Sequence, residues 1–98
     1  MMEINSLIIE LRKGINNKEL FKFYLFGSAR FSDRPNDIDI LVVYKKSYSL
    51  EGIIDLRNKI EDIVFSIYNI HVDVILLSEC EALYNTFIND EKCILLNV

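Results

Sequence analysis

The segment Asp37–Tyr44 (DIDILVVY) restricts the folds open to this chain more than any other part of its sequence. From Ile40 to Val43 every residue is apolar, so a strand built from this segment presents apolar side chains on both of its faces. Strands that are buried on both faces lie inside sheets whose two sides are covered. The segment therefore predicts a central strand of a covered sheet, with two aspartates at its beginning.

Helix and strand patterns alternate along the rest of the chain. Apolar residues at three- and four-residue steps predict an amphipathic helix from Ile4 to Ile15, which Gly14 and the pair Asn16–Asn17 should end. The other predicted elements are a strand at Phe21–Phe26, a long amphipathic helix from Leu50 to Ile67, a third buried strand at His71–Leu77, a helix that begins at the capping box of Ser78 and Glu81 and continues to about Asn89, and a last strand at Cys93–Leu96. This order is typical of an α/β domain with one sheet.

The composition indicates one globular domain over residues 1–98. A chain of 98 residues is too short for two domains, and 51% hydrophobic with 27% charged residues is typical of folded proteins. The net charge of −4 and the scattered basic residues argue against a long nucleic-acid ligand, because phosphate backbones are bound by clustered Lys and Arg. A single nucleoside triphosphate is not excluded by this charge.

The expected location is the cytoplasm. Cys80 and Cys93 do not have a metal-ligand spacing, and a secreted domain of this size would contain more cysteines. No stretch approaches the roughly 20 apolar residues of a membrane span, and the N terminus lacks the pattern of a signal peptide. We therefore expect free thiols in a reducing compartment and no membrane partner.

Three aspartates lie on predicted strands. Asp37 and Asp39 are two residues apart, so their side chains point to the same face, and Asp73 interrupts an otherwise apolar strand. Each of them alone is more simply explained as a surface acid. Together they predict a metal site if the two strands are neighbours, because a lone buried carboxylate is costly and converging carboxylates suit Mg²⁺. Two such ions can hold both the attacking and the leaving oxygen of an in-line displacement at phosphorus.

Gly27 and Ser28 follow directly after the predicted strand Phe21–Phe26. A Gly-Ser pair by itself indicates only a turn. Beside the acids it can bind the phosphates of a nucleotide, because glycine lets the backbone come close and the start of a helix favours anions. His71 shares its face with Asp73, where it either touches a metal ion or a phosphate or is a strand-end histidine with hydrogen bonds of its own.

The combination of LFGSAR (Leu25–Arg30), NDIDILVVY (Asn36–Tyr44) and the third aspartate in HVDVILL resembles the polymerase-β-type nucleotidyltransferase superfamily. Among its members, the chain is most similar to the small minimal nucleotidyltransferase (MNT) class. The resemblance implies an α/β (α+β) fold in which a small mixed sheet is flanked by helices. It also implies catalysis and metal binding by Asp37, Asp39 and Asp73, with two Mg²⁺ ions or, alternatively, Mn²⁺.

The nucleotide site implied by the resemblance consists of Gly27, Ser28 and Arg30. Arg30 occupies a basic position that often follows the Gly-Ser pair in small members, although a solvent-exposed cation on a short helix explains it equally well. The loop between Ser28 and Asp37 is shorter than usual, and Phe31 stands where glycine is common. The identity of the nucleotide therefore depends on a pocket that the motif does not describe.

The resemblance further implies a partner. Larger members hold the base and the acceptor with a second, helical domain, and no such domain follows before Val98. MNT proteins are typically paired with a helical HEPN-type toxin and neutralise it by transferring AMP from ATP onto it, while others act in antiviral defence. We accordingly expect a transferase that modifies a hydroxyl of a cognate protein, with self-association as an alternative way to complete the site. Two other functions stay open: a non-catalytic subunit that binds a nucleotide or a partner, and a transferase that acts on RNA ends.

Overall fold

The computed structural model describes residues 3–45, 49–84 and 86–98. The elements are α1 (Asn5–Gly14), β1 (Phe21–Phe26), β2 (Asp37–Tyr44), α2 (Leu50–Tyr68), β3 (His71–Ser78), α3 (Glu79–Tyr84), α4 (Phe87–Asp90) and β4 (Ile94–Leu96), with 3₁₀ helices at Lys18–Leu20 and Gly27–Arg30. The described strands form one mixed sheet in the order β3-β2-β1-β4, in which β2 is parallel to β3 and β1 is antiparallel to β2 and β4. The predicted α/β fold with a small mixed sheet is confirmed.

The first face of the sheet is covered by α1 and α2. Leu7 and Leu11 of α1 and Ile60 and Val64 of α2 have no exposed surface. The strand residues in the same cluster are Phe21, Phe23, Leu25, Ile38, Ile40, Val42, Val72 and Leu96. Each large apolar side chain that is removed from water contributes roughly 1.5–3 kcal/mol, so this layer is the main core of the domain.

The sequence around α2 explains both its ends and its orientation. The Ser49 hydroxyl accepts a hydrogen bond from the Gly52 amide at 3.1 Å, and Asn69 after the last turn has a φ of 55°. The buried residues repeat on one side of the helix, at Ile53, Leu56, Ile60 and Val64. Within the described parts of the chain, no helix is both long and apolar enough to cross a membrane.

β2 lies between β1 and β3, as its apolar run predicts. Ile40 and Val42 face α1 and α2, whereas Leu41 and Val43 face the other side, which is called here the second face. Asp39 is two residues before Leu41 in the same strand, so its side chain also points to the second face.

Among the described helices, α3 and α4 cover the second face, and they have six and four residues. Phe87 of α4 packs edge-on against Phe26 with the ring centroids 5.0 Å apart, and Ala82 of α3 packs against the same cluster. Asp37 and Asp73, at the beginnings of their strands, are exposed. This end of the second face is therefore open to a ligand.

β3 corrects one prediction, because it is an edge strand and not a buried one. Among the described strands it pairs with β2 alone, and of its 8 residues only Val72 is buried. Val74 and Leu76 pack under α2 on the first face. Ile75 and Leu77 are only half-buried, because little more than α3 covers the second face beside them. An apolar run of this kind is thus compatible with a sheet edge when helices cover its faces.

The capping box at the start of α3 is confirmed. The Ser78 hydroxyl accepts from the Glu81 amide at 3.1 Å, and the Glu81 carboxylate accepts from the Ser78 amide at 2.9 Å. Hydrogen bonds to the Glu81 carboxylate, first from the Ser78 amide and then from the Ser78 side chain, hold the pKa of this carboxyl below its ordinary value, because they favour the charged form.

The prediction that this helix continues to about Asn89 is wrong. α3 ends at Tyr84, and α4 begins only at Phe87. Thr86 is not helical, and its hydroxyl donates to the carboxylate of Asp90 at 2.6 Å. Threonine and asparagine are weak helix formers, so an interruption here costs little.

Candidate active site

The strand register brings the three predicted acids to one end of the second face. Asp39 of β2 is the direct partner of Asp73 of β3, and Asp37 is the partner of His71. Neighbouring strands lie about 4.7–4.9 Å apart and side chains alternate between faces, so these four side chains point the same way at close range. The convergence expected for neighbouring strands is therefore present.

Gly27 lies against Asp39 on the side opposite to Asp73. β1 is antiparallel to β2 and pairs Phe26 with Asp39, so the residue after Phe26 comes next to the Asp39 carboxylate. Gly27 has a φ of +74°, and a Cβ atom added there would lie 2.0 Å from Asp39 Oδ2. Only a residue without a side chain fits this position, both for its backbone angle and for its space.

The carboxyl of Asp39 is the most crowded of the three acids. Burial raises its pKa above the ordinary value, and the charges of Asp73 and then Asp37 raise it further, together with a side-chain hydrogen bond to Asp73. Burial and like charges both disfavour the ionised form. Without a cation, this site therefore holds unfavourable negative charge.

Asp73 is not buried, which corrects the expectation that burial forces it to find a partner. Its side chain is 57% exposed, because β3 is the edge of the sheet. His71 Nε2 lies 3.3 Å from Asp73 Oδ1, and the His71 side chain is 70% exposed. Of the two interpretations of His71, a strand-end histidine with a partner of its own is the one that this contact supports.

Ser28 and Arg30 occupy the short 3₁₀ helix after β1, where Ser28 is exposed. Arg30 Nε donates to the carbonyl of Gly27 at 3.0 Å, and its Nη1 donates to the carbonyl of Lys92 at 3.2 Å. The guanidinium carbon also lies 4.5 Å from the centroid of the Phe31 ring. Arg30 thus connects the Gly27 turn to the segment before β4, and its contact with a phosphate stays a prediction.

The acids suit a hard divalent cation that a nucleotide helps to hold. Within residues 3–45, 49–84 and 86–98, no three His, Cys, Asp or Glu side chains form a ready-made metal site. Mg²⁺, however, is usually bound by one or two carboxylates together with substrate phosphates. The charges of Asp73 and Asp37 both disfavour the ionised form of Asp39, and a cation bound among the three carboxylates would relieve that repulsion.

A separate pocket of about 240 Å³ opens on the second face at the other end of the strands. Tyr24, Val43, Ala82 and Leu83 line it, and it contains none of the three aspartates. Val43 is four residues beyond Asp39, which corresponds to roughly 13 Å along a strand. This pocket is therefore not part of the acid site.

The crowding of Asp39 predicts that Asp39→Asn stabilises the metal-free protein at neutral pH. A carboxyl whose pKa is raised by folding binds more protons in the native state, so its contribution to stability falls as the pH rises through the native pKa. The melting temperature of the variant should exceed that of the wild type by a few degrees at pH 7, and this difference should shrink as the pH falls below the raised pKa. If the variant melted at a lower temperature than the wild type at pH 7 in the presence of a chelator, the charged Asp39 carboxylate would not be destabilising the metal-free protein.

Comparison with known proteins identifies the family. The sequence profile of the family described as "Polymerase beta, Nucleotidyltransferase" matches residues 10–97. No curated protein matches this chain significantly. The match includes β1, the Gly27 turn and all three aspartates, and it extends over nearly the whole chain.

Two solved structures have a similar fold. One is a mutant of the toxin–antitoxin MntA–HpeT, with 23% identity, a TM-score of 0.54, and coverage of 97% of this chain and 71% of the matched chain. The other is a toxin–antitoxin with AMP-PNP, with 24% identity, a TM-score of 0.56, and coverage of 97% and 73%. At this identity the similarity supports the fold, and the family follows from the sequence profile. On that profile, this chain belongs to the polymerase beta nucleotidyltransferase family.

Proposed function

We propose that this chain transfers a nucleoside monophosphate, most specifically AMP from ATP, to a hydroxyl group of a partner protein. The observation that carries this proposal is the row formed by Gly27 directly after β1, Asp39 of β2 and Asp73 of β3. A glycine turn that can approach phosphates and two facing carboxylates are what nucleotidyl transfer requires at one place.

Each residue has a proposed role in that reaction. Gly27 and Ser28 bind the phosphates of the donor, since the backbone is accessible there and Ser28 is exposed. Asp37, Asp39 and Asp73 would hold the divalent cations, preferably Mg²⁺, which would neutralise the charge of the triphosphate and lower the pKa of a bound hydroxyl. Asp73 lies on the acceptor side and orients the attacking hydroxyl.

The proposed reaction forms one bond to the α-phosphorus and breaks another. The acceptor oxygen bonds to the α-phosphorus, the bond from that phosphorus to the oxygen of the β-phosphate breaks, and pyrophosphate leaves. The proton of the acceptor hydroxyl passes to a carboxylate such as Asp73 and then to water.

The proposed setting is a toxin–antitoxin pair or an antiviral defence system in the cytoplasm, with a HEPN-type toxin as the acceptor. Support comes from the fold shared with the toxin–antitoxin MntA–HpeT and with a toxin–antitoxin that contains AMP-PNP, an ATP analogue. The net charge of −4 supports a protein acceptor over a nucleic acid.

The reaction is tested with ATP that is labelled at the α- or at the γ-phosphate. The chain is incubated with Mg²⁺ and with the protein encoded by its neighbouring gene, and the partner is then analysed for label. We expect label from the α-position only, and its loss in Asp37→Ala and in Asp73→Asn, because nucleotidyl transfer releases the β- and γ-phosphates as pyrophosphate.

Two outcomes would contradict this proposal. Label from the γ-position would mean phosphoryl transfer and therefore a different reaction. Absence of transfer with each of the four nucleoside triphosphates, from a chain that still binds them, would indicate a non-catalytic binding subunit. Mass spectrometry of the modified partner identifies the acceptor residue.

A further inference from the structure

The order of the strands assigns the donor and the acceptor to opposite sides of Asp39. Gly27, which follows β1, lies on one side of its carboxylate, and Asp73 of β3 lies on the other. In an in-line displacement, the attacking and leaving oxygens are on opposite sides of the phosphorus. If the triphosphate binds at Gly27, as the proposed function requires, the acceptor must arrive from the side of β3.

β3 is the last of the described strands on that side, so the acceptor meets the edge of the sheet. At the beginning of β3 there is a pocket of about 300 Å³ between the end of α2 and the edge strand. His71 is the residue that connects the two features, because it lines this pocket and its Nε2 lies 3.3 Å from Asp73 Oδ1. The pocket opens on the α2 side of the sheet edge, whereas Asp73 points to the second face. A segment seated in the pocket therefore reaches Asp73 by passing around the edge strand at His71.

The lining of this pocket combines apolar and acidic side chains. Phe65 is 60% exposed, although it is a large aromatic residue, and Ile70 and Val72 lie beside it. Glu61 and Asp62 line the same pocket from α2, and no lysine or arginine is among the described residues that line it. Glu61 and Asp62 have no ion pair with another described residue. An exposed aromatic side chain next to such acids is complementary to a segment that carries both an apolar and a basic residue.

We infer that this pocket is the docking site for the acceptor, and that the acceptor is a protein segment with a Lys or Arg and an apolar residue near its modified hydroxyl. Nucleic acid does not fit, because its phosphates would face Glu61, Asp62 and the catalytic acids at the same time. This inference depends on the proposed function and adds to it the position and the chemistry of the acceptor.

The test uses two synthetic peptides that contain the same single tyrosine and the same leucine. In the basic peptide the tyrosine is flanked by Lys and Arg, and in the acidic peptide it is flanked by Glu. An RNA oligonucleotide with a free terminal hydroxyl is the third acceptor. With ATP and Mg²⁺, the full chain should modify the basic peptide with a kcat/KM at least about tenfold above that of the acidic peptide, as expected for complementary charges at an interface. The RNA should not be modified.

The variant Glu61→Lys/Asp62→Lys should reverse the preference between the two peptides through their KM values. Phe65→Ala should raise the KM for both peptides, because both contain leucine. Neither variant should change the affinity for ATP or for Mn²⁺, measured by calorimetry. The matched control is Glu51→Lys/Asp55→Lys, which makes the same change of charge on exposed residues at the other end of α2 and should leave the preference unchanged.

Several results would overturn the inference. They are a preference for the acidic peptide or for RNA, an unchanged preference in Glu61→Lys/Asp62→Lys, and a wild-type chain that binds ATP but modifies neither peptide. A lower mass of Phe65→Ala than of the wild type in light scattering would also contradict it, because a second copy of the chain would then cover the pocket. A chain that binds no nucleoside triphosphate would instead contradict the proposed function, so the two failures are distinguishable.

Discussion

Asp39→Asn is expected to abolish nucleotidyl transfer while leaving a protein that is folded and, without metal, more stable than the wild type. Asp39 is the central acid, between Gly27 on one side and Asp73 on the other. A loss of several kcal/mol of transition-state stabilisation corresponds to a decrease in kcat of about a thousandfold. The rate of label transfer from α-labelled ATP measures this decrease.

The same variant should lose the effect of metal on stability. A ligand that binds only the native state raises the melting temperature by mass action, so Mg²⁺ with ATP should stabilise the wild type and not Asp39→Asn. Asp55→Asn, which removes an exposed acid of α2, is the matched control and should behave as the wild type. If Asp39→Asn still responded to Mg²⁺ and ATP as strongly as the wild type, the assignment of the metal site would be wrong.

Gly27→Ala is expected to cause a comparable loss of transfer together with a loss of stability. The new Cβ would lie 2.0 Å from Asp39 Oδ2, and the φ of +74° is unfavourable for alanine. The left-handed backbone costs roughly 1–2 kcal/mol, and the displacement of a packed neighbour adds roughly 1–3 kcal/mol. The free energy of unfolding from urea titration measures the sum.

A double-mutant cycle separates the two contributions. In an Asp39→Ala background the carboxylate that clashes is absent, so Gly27→Ala should cost only the roughly 1–2 kcal/mol of backbone strain. Gly52→Ala in the first turn of α2 is the control, since among the described glycines only Gly27 has a positive φ. If Gly27→Ala lowered the free energy of unfolding equally in both backgrounds, the added Cβ atom would not clash with the Asp39 carboxylate.

The strands of this protein were predictable because their signals are local. The strands predicted at Phe21–Phe26 and Asp37–Tyr44 begin and end at the same residues in the structure. The central position of β2 follows from its apolar side chains on both faces. The aspartates also lie on one face for a local reason, which is the two-residue period of a strand.

The two wrong predictions about helices and strands concern contacts between distant parts of the chain. The sequence predicts β3 as a buried strand, but β3 is an edge strand. A strand that is covered by a helix and a strand that lies between two others have the same apolar sequence pattern, so the sequence does not distinguish them. The helix after Ser78 stops at Tyr84, because packing of Phe87 on Phe26 competes with the continuation of a weak helix.

Some features of the site depend on the pairing register between strands, and no local sequence pattern predicts them. The sequence does not indicate that His71 contacts Asp73 and also lines the pocket beside Phe65. Likewise, nothing in a Gly-Ser pair shows that the Asp39 carboxylate occupies the space of the missing Cβ.

The sequence by itself therefore determined the element types, the three acids and the family, because periodicity and motif spacing are properties of neighbouring residues. The tertiary structure decided which acid is central, on which side of it the glycine turn lies, and that the strand on its other side is the edge of the described sheet. The physical reason is that pairing between strands fixes distances across the sheet, and a register shift of one residue would turn every aspartate to the opposite face.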